Sequence, residues 1–262
     1  MSSGYTALVG AWYLGRRVEG NLGTKANIPH VLLGTALLWF GWYGFNAGSA
    51  GAASFLAGQA LLTTTIAPAA AMVTWMLIDY LVGKQVGAVG MCSGVVVGLV
   101  AITPAAGFVT TGSSMMIGII GAACSNGMQH VFQKYVSRRL DDSLDAFPCH
   151  GMGGTVGMIL TACFATTDVN PLGYDGLFYG GGKVFWHTLV VLIVIIPFIC
   201  LASYICFKVG ACKGSPTSAS RWVHASKGSP TSASRWVRAR VVPPGVSNES
   251  WRAHMWQRTT HN

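Results

Sequence analysis

Residues 37–50 read LLWFGWYGFNAGSA. Trp42, Phe45 and Ser49 recur there at i, i+3 and i+7, which sets them on one face of a helix. Aromatic faces attract a cation through their quadrupoles, worth about 0.5–2 kcal/mol, and a serine hydroxyl adds an acceptor. Aromatic residues also gather in belts where a membrane meets water; a belt explains Trp42 alone better than it explains the trio with Ser49. The second candidate is His150, in DDSLDAFPCHGMGG, with glycines at 151, 153 and 154 beside it. Such glycines suit a place where something passes or where another helix packs closely. Asp145 stands where it would cap the following helix, with Pro148 in the first turn. On spacing alone His150 reads as a packed polar residue. An enzyme built on His150 with Asp141, Asp142 or Asp145 would need a nucleophile or metal constellation, and one histidine without a second buried ligand is too little. His30, His130 and His187 fall near the ends of apolar stretches and read as interfacial.

The elements that must carry these residues are apolar. The chain has 262 residues, 52% hydrophobic and 10% charged, where a soluble domain carries about a quarter charged residues. Residues 26–78 and 85–133 hold no Asp, Glu, Lys or Arg. A bilayer span takes about 20 apolar residues, so each stretch holds two helices and a turn. The spans expected are 1–15 (incomplete), 31–48, 54–78, 87–104, 113–133, 146–167 and 184–207. No basic region precedes the first, as it would in a signal peptide. The fold class is therefore all-α: a polytopic transmembrane helix bundle of about six complete spans plus part of another. Glycines spaced by four, Gly44 and Gly48, Gly94 and Gly98, Gly153 and Gly157, are positioned for close helix packing. Pro68 and Pro197 fall inside spans and are expected to kink them.

Alternating sides, Arg16, Arg17, Lys25, Lys84, Lys134, Arg138 and Arg139 fall on one face of the membrane, and Lys183 stands alone in the turns of the other. Basic loops stay in the cytoplasm, so Lys208 and everything after it are cytoplasmic. Eight of the 17 Lys and Arg lie beyond residue 212 with Glu249 as the sole acid there, so +7 of the net charge of +9 belongs to the tail and not to a nucleic-acid surface. The unit KGSPTSASRWVHAS at residue 213 returns at residue 227 as KGSPTSASRWVRAR, and its Ser/Pro/Arg-rich composition predicts disorder. The division expected is a membrane domain over 1–207 and a basic repeat tail over 208–262. The tail could lie on anionic lipid, but a recent duplication without a role is the favoured reading. Seven cysteines without CxxC spacing read as small buried hydrophobes rather than a disulfide or zinc framework.

LLWFGWYGFNAGSA, GVVVGLVAITPAAGFV at 94–109 and DDSLDAFPCHGMGGTVGMILT at 141–161 resemble the ammonium transporter family in order and spacing. SSGYTALVGAWYLGRR resembles the end of that family's fifth helix, and the likeness runs from residue 1 to about 207. The GFNAGSA string favours this branch over the related Rhesus proteins. The last helix matches in hydropathy rather than in detail. The resemblance implies transport of ammonium or ammonia (methylammonium among possible substrates) by a homotrimer in the plasma membrane, without a cofactor, each subunit having its own pore. It implies that His150 is the second of two paired pore histidines. Phe45 would be the inner of two stacked gating phenylalanines, with Trp42 lining the same helix toward the vestibule. Ser49 would belong to the external ammonium site, and Thr103 to the pore wall. NH4+ would be recruited outside, deprotonated, and passed as NH3, since a bare cation costs far more to move through an apolar pore. The family's first pore histidine, outer phenylalanine and vestibule tryptophan would all precede Met1. Two readings follow: a transporter subunit whose N-terminal half is absent here, or a non-transporting fragment that is inert or packs with full-length subunits.

Overall fold

In a computed structural model of the protein, residues 1–15, 27–136 and 140–212 are described. Arg16, Arg17, Lys25, Arg138, Arg139 and the repeat tail at 213–262, with its expected disorder and its cytoplasmic placement, lie outside the described residues. Seven α-helices follow in order: α1 (Ser2–Leu14), α2 (Ile28–Gly48), α3 (Phe55–Leu81), α4 (Ala88–Ile102), α5 (Thr111–Val131), α6 (Gly153–Phe164) and α7 (Gly182–Cys212). A π-helical turn, Phe147–Met152, leads into α6, and another, Phe132–Val136, extends α5. Each coincides with an expected span. Among the described residues the protein is all helix, turn and loop.

The starts of the helices follow from local chemistry. The first backbone N–H groups of a helix have no partner within it, and a short polar side chain supplies one. Asn27 accepts from the His30 N–H at 3.3 Å, Ser54 from Ala57 at 3.3 Å and Thr110 from Ser113 at 3.3 Å. Ahead of the Phe147–Met152 turn the residue responsible is Asp142, not Asp145. The Asp142 carboxylate accepts from the N–H groups of Ala146 at 3.0 Å and Phe147 at 2.7 Å. Asp145 adopts φ 49° and turns its carboxylate to the Gln129 amide at 2.7 Å. The correction has a simple cause: the chain reverses at residue 145, so the carboxylate three residues earlier is the one that reaches the free N–H groups.

α3, α4, α5 and α6 pack around one core. Ala67, Ala101, Ile102, Ala105, Val109 and Ile117 are fully buried together, with Leu160 and Phe164 against them. Small residues dominate because the backbones nearly touch. A methyl group on Gly98 would meet Pro68, on Gly118 the Ala67 carbonyl, and on Gly157 the Ala101 backbone. Gly44 and Gly48, spaced alike, meet nothing within 4 Å. They sit on the outer side of α2, so the spacing there does not mark a contact within the chain.

Pro68 and Pro197 lie inside helices that continue through them. Phe55–Leu81 and Gly182–Gly210 are each long and apolar enough to cross a membrane. Along α7, Ile193, Val194, Phe198 and Leu201 are exposed while Leu192 is buried. That much apolar surface is costly in water and natural in lipid. The described cysteines are free: Cys92, Cys149 and Cys163 buried, Cys124 and Cys200 half-buried, Cys206 exposed.

Candidate functional site

α2 is an apolar helix with little of its surface buried, and Asn46 is its one buried residue. Along its inner face the Trp42 indole N–H donates to the Thr103 hydroxyl at 2.8 Å, and that hydroxyl donates to the Leu99 carbonyl at 2.7 Å. Trp42 and Phe45 stand edge to face with centroids 5.9 Å apart. Ser49 donates to the Phe45 carbonyl one turn below. Four of the residues singled out in the sequence, Trp42, Phe45, Ser49 and Thr103, thus form one continuous group at the same end of α2 and α4. Phe45 and Ser49 are exposed, and Trp42 and Thr103 are half-buried. The group offers an aromatic surface and two hydroxyl oxygens, a set suited to a cation with N–H groups.

His150 lies elsewhere. It sits half-buried in the Phe147–Met152 turn, whose position is fixed by the Phe147 ring between Tyr5 at 5.3 Å and Phe132 at 5.1 Å. α1 crosses this turn with Gly4 against the backbone of His150 and Gly151. Tyr5 and Thr155 hydroxyls meet at 3.2 Å, and Thr6 and Ser203 at 2.9 Å, fastening α1 to α6 and α7. The glycines around His150 are therefore used for close helix packing. α4 packs against both α2 and the His150 turn, and so links the histidine's segment to the aromatic group. No cluster of three or more metal-ligating side chains occurs among the described residues.

Several polar residues escaped the sequence reading. Thr64 is fully buried, and it accepts from Asn46 at its hydroxyl (2.9 Å) and from Trp39 at its carbonyl (3.2 Å). Asp79, read in the sequence only as the end of an uncharged stretch, is buried within α3 and accepts from the Asn126 amide at 3.2 Å. His130, near the end of α5 as the sequence placed it, has its Nδ1 3.1 Å from the Lys84 ammonium and its Nε2 buried. An acid within an otherwise uncharged helix was the available signal for Asp79. No pattern marked Thr64, because buried threonines look alike in sequence.

A profile of the Ammonium Transporter Family matches residues 1–214. The chain belongs to this family. An ammonium transporter of Bacillus subtilis is 43% identical over 210 residues, which is 80% of this chain and 51% of the relative. Ammonium transporter MEP2 of Saccharomyces cerevisiae is 43% identical over 178 residues, 65% of this chain and 35% of that protein. The crystal structure of Saccharomyces cerevisiae Mep2 superposes with a TM-score of 0.73 at 35% identity, covering 81% of this chain and 49% of that one. This ammonium transporter family chain therefore spans about a third to a half of the length of these relatives. Family members are integral membrane proteins that transport ammonium and are not enzymes, which disposes of a catalytic role for His150 with Asp141, Asp142 or Asp145.

Proposed function

We propose that residues 1–207 form part of the ammonium path of a multi-pass transporter subunit. The supporting observation is the Trp42–Thr103 hydrogen bond at 2.8 Å beside the Phe45 ring. It closes two helices around an aromatic surface whose open side carries Ser49. In this reading Ser49 and Trp42 receive NH4+ from outside. Phe45 gates the entrance, Thr103 holds the pore wall, and His150 lines the apolar passage taken by NH3. An ion carries a far larger desolvation cost than a neutral molecule, so the proton is handed to water at the exposed entrance and NH3 alone enters the passage. Potassium has no proton to lose and is excluded on the same ground. The subunit works in a homotrimer in the plasma membrane, accepts ammonium and methylammonium, and keeps the segment 208–262 in the cytoplasm by the distribution of its basic residues.

A second reading has an observation in its favour: the chain covers 51% of a Bacillus subtilis relative. On that reading it is a non-transporting fragment, inert or packed with full-length subunits. Uptake of labelled methylammonium separates the two, in cells lacking their own ammonium transporters. Residues 1–262 alone should give no saturable uptake. The same residues grafted behind the N-terminal half of the Bacillus subtilis relative should restore it, and His150→Ala should reduce it. A folded, inserted graft without uptake would refute the proposal.

A further inference from the structure

Polar bonds hold α2 to α3: the Thr65 hydroxyl donates to the Tyr43 hydroxyl at 3.2 Å, and Thr64 accepts twice, one of its two acceptors being left open by a residue four positions further along. In an α-helix each carbonyl accepts from the N–H four residues later. Pro68 has no N–H, so the Thr64 carbonyl inside α3 is left without its helical partner. Trp39 takes the vacancy, its indole N–H donating to that carbonyl at 3.2 Å. The Thr64 hydroxyl accepts from the Asn46 amide at 2.9 Å. Trp39 and Asn46 are seven residues apart, two turns on one face of α2, and Trp42 and Phe45 lie between them. Apolar burial does little here, since Asn46 is the one buried residue of α2. In lipid, apolar surface supplies no force to hold a helix in register, whereas an interhelical hydrogen bond has direction.

We infer that Thr64, its carbonyl released by Pro68, is a positioning residue that sets the rotation of α2 and so aims the Trp42–Phe45 face. This rests on the reading that ammonium meets that face. Two bonds to one residue, two turns apart, resist rotation of α2 in a way that a single bond could not. Trp42 completes the arrangement from the other side by bonding Thr103 of α4. Pro68 thus has a role within a helix that continues through it: it exposes the acceptor that α2 grips.

The test uses the 262-residue protein, 15N-labelled at tryptophan indoles, in detergent micelles, with the Trp39 and Trp42 signals identified by their loss in Trp39→Phe and Trp42→Leu. Pro68→Ala supplies an N–H that competes for the Thr64 carbonyl. Exchange of the Trp39 indole proton should then accelerate by about 2- to 10-fold, the range set by one hydrogen bond, and the Trp42 signal should move. Thr64→Val should move the Trp42 signal, Thr64→Ser should return it, and helix content by circular dichroism should stay at the wild-type level throughout. If Pro68→Ala fails to fold, Trp39→Phe and Thr64→Val answer through the Trp42 signal. An unmoved Trp42 signal in Thr64→Val and in either Pro68→Ala or Trp39→Phe would overturn the inference. Titration with ammonium chloride tests the functional reading separately. Wild-type Trp42 should respond, with half-saturation displaced upward in Thr64→Val and restored in Thr64→Ser. A wild-type Trp42 signal blind to ammonium would sink the functional reading, while indole exchange would still judge the role of Thr64.

Discussion

The Trp42 indole N–H donates to the Thr103 hydroxyl at 2.8 Å, across 61 residues of sequence. Neither partner is distinctive by itself. Together they decide that the aromatic face of α2 looks onto the end of α4, where the hydroxyl is already oriented by the Leu99 carbonyl. An interhelical hydrogen bond of this kind contributes about 0.6 kcal/mol in a membrane protein.

In the grafted full-length subunit, Ser49→Ala and Trp42→Leu should weaken uptake chiefly at low external ammonium. Each removes a recruiting contact of about 1 kcal/mol, and Trp42→Leu also gives up the indole bond to Thr103. Uptake curves over a range of methylammonium concentrations would reveal a raised half-saturation with little change at saturation. Wild-type behaviour of both variants at limiting substrate would exclude the entrance assignment.

Gly118→Ala should destabilise the isolated chain by about 1–2 kcal/mol. Its new methyl group would press on the Ala67 carbonyl, and overpacking costs about 1–3 kcal/mol against a helix-propensity gain of up to about 1 kcal/mol. Gly44→Ala, with nothing within 4 Å of the added methyl group, should be neutral or stabilising. Unfolding by denaturant in micelles would rank the two, and equal losses would contradict the packing described.

The loop between α6 and α7 should lose order on acidification. Asp175 accepts from the Thr167 backbone N–H at 2.8 Å, and that bond foremost holds its carboxyl below the ordinary value of 3.8. A carboxyl whose folded value is depressed stabilises the fold above its unfolded value, so the contribution should be constant at neutral pH. It should fade once pH falls below the ordinary carboxyl value toward the lowered one. The protection of the Thr167 amide against hydrogen exchange, measured relative to its intrinsic rate, should therefore fall between pH 6 and the acid limit in the native chain, whereas in Asp175→Asn it should stay flat.

On the proposed cytoplasmic placement of 208–262, Asn248, in the sequon Asn248-Glu249-Ser250, should stay free of sugar in a cell-expressed protein. A glycan there, detected as a mass shift removed by an amidase, would reverse the orientation.

Helix number, helix limits and membrane class were legible in the residues because each depends on local composition: an uncharged stretch of sufficient length has one stable form in a bilayer. The face shared by Trp42, Phe45 and Ser49 was legible for the same reason, since helical periodicity alone sets it. Which neighbours that face meets was not. Gly44–Gly48 and Gly153–Gly157 have the same spacing, yet one pair meets open space and the other meets Ser125 and Ala101. Asp142 and Asp145 are equally able to cap a helix, and the φ of 49° at Asp145 gave the task to Asp142. Thr64 and Thr65 are neighbours of one type, but only Thr64 lies four residues before Pro68 with α2 beside its free carbonyl. The residues by themselves determined helices, their faces and the family motifs, since these depend on short-range steric and solvation terms. Only the tertiary structure decided which backbone groups were vacant and which distant side chain filled them, because a hydrogen bond between helices depends on a few ångströms of placement that no local pattern encodes.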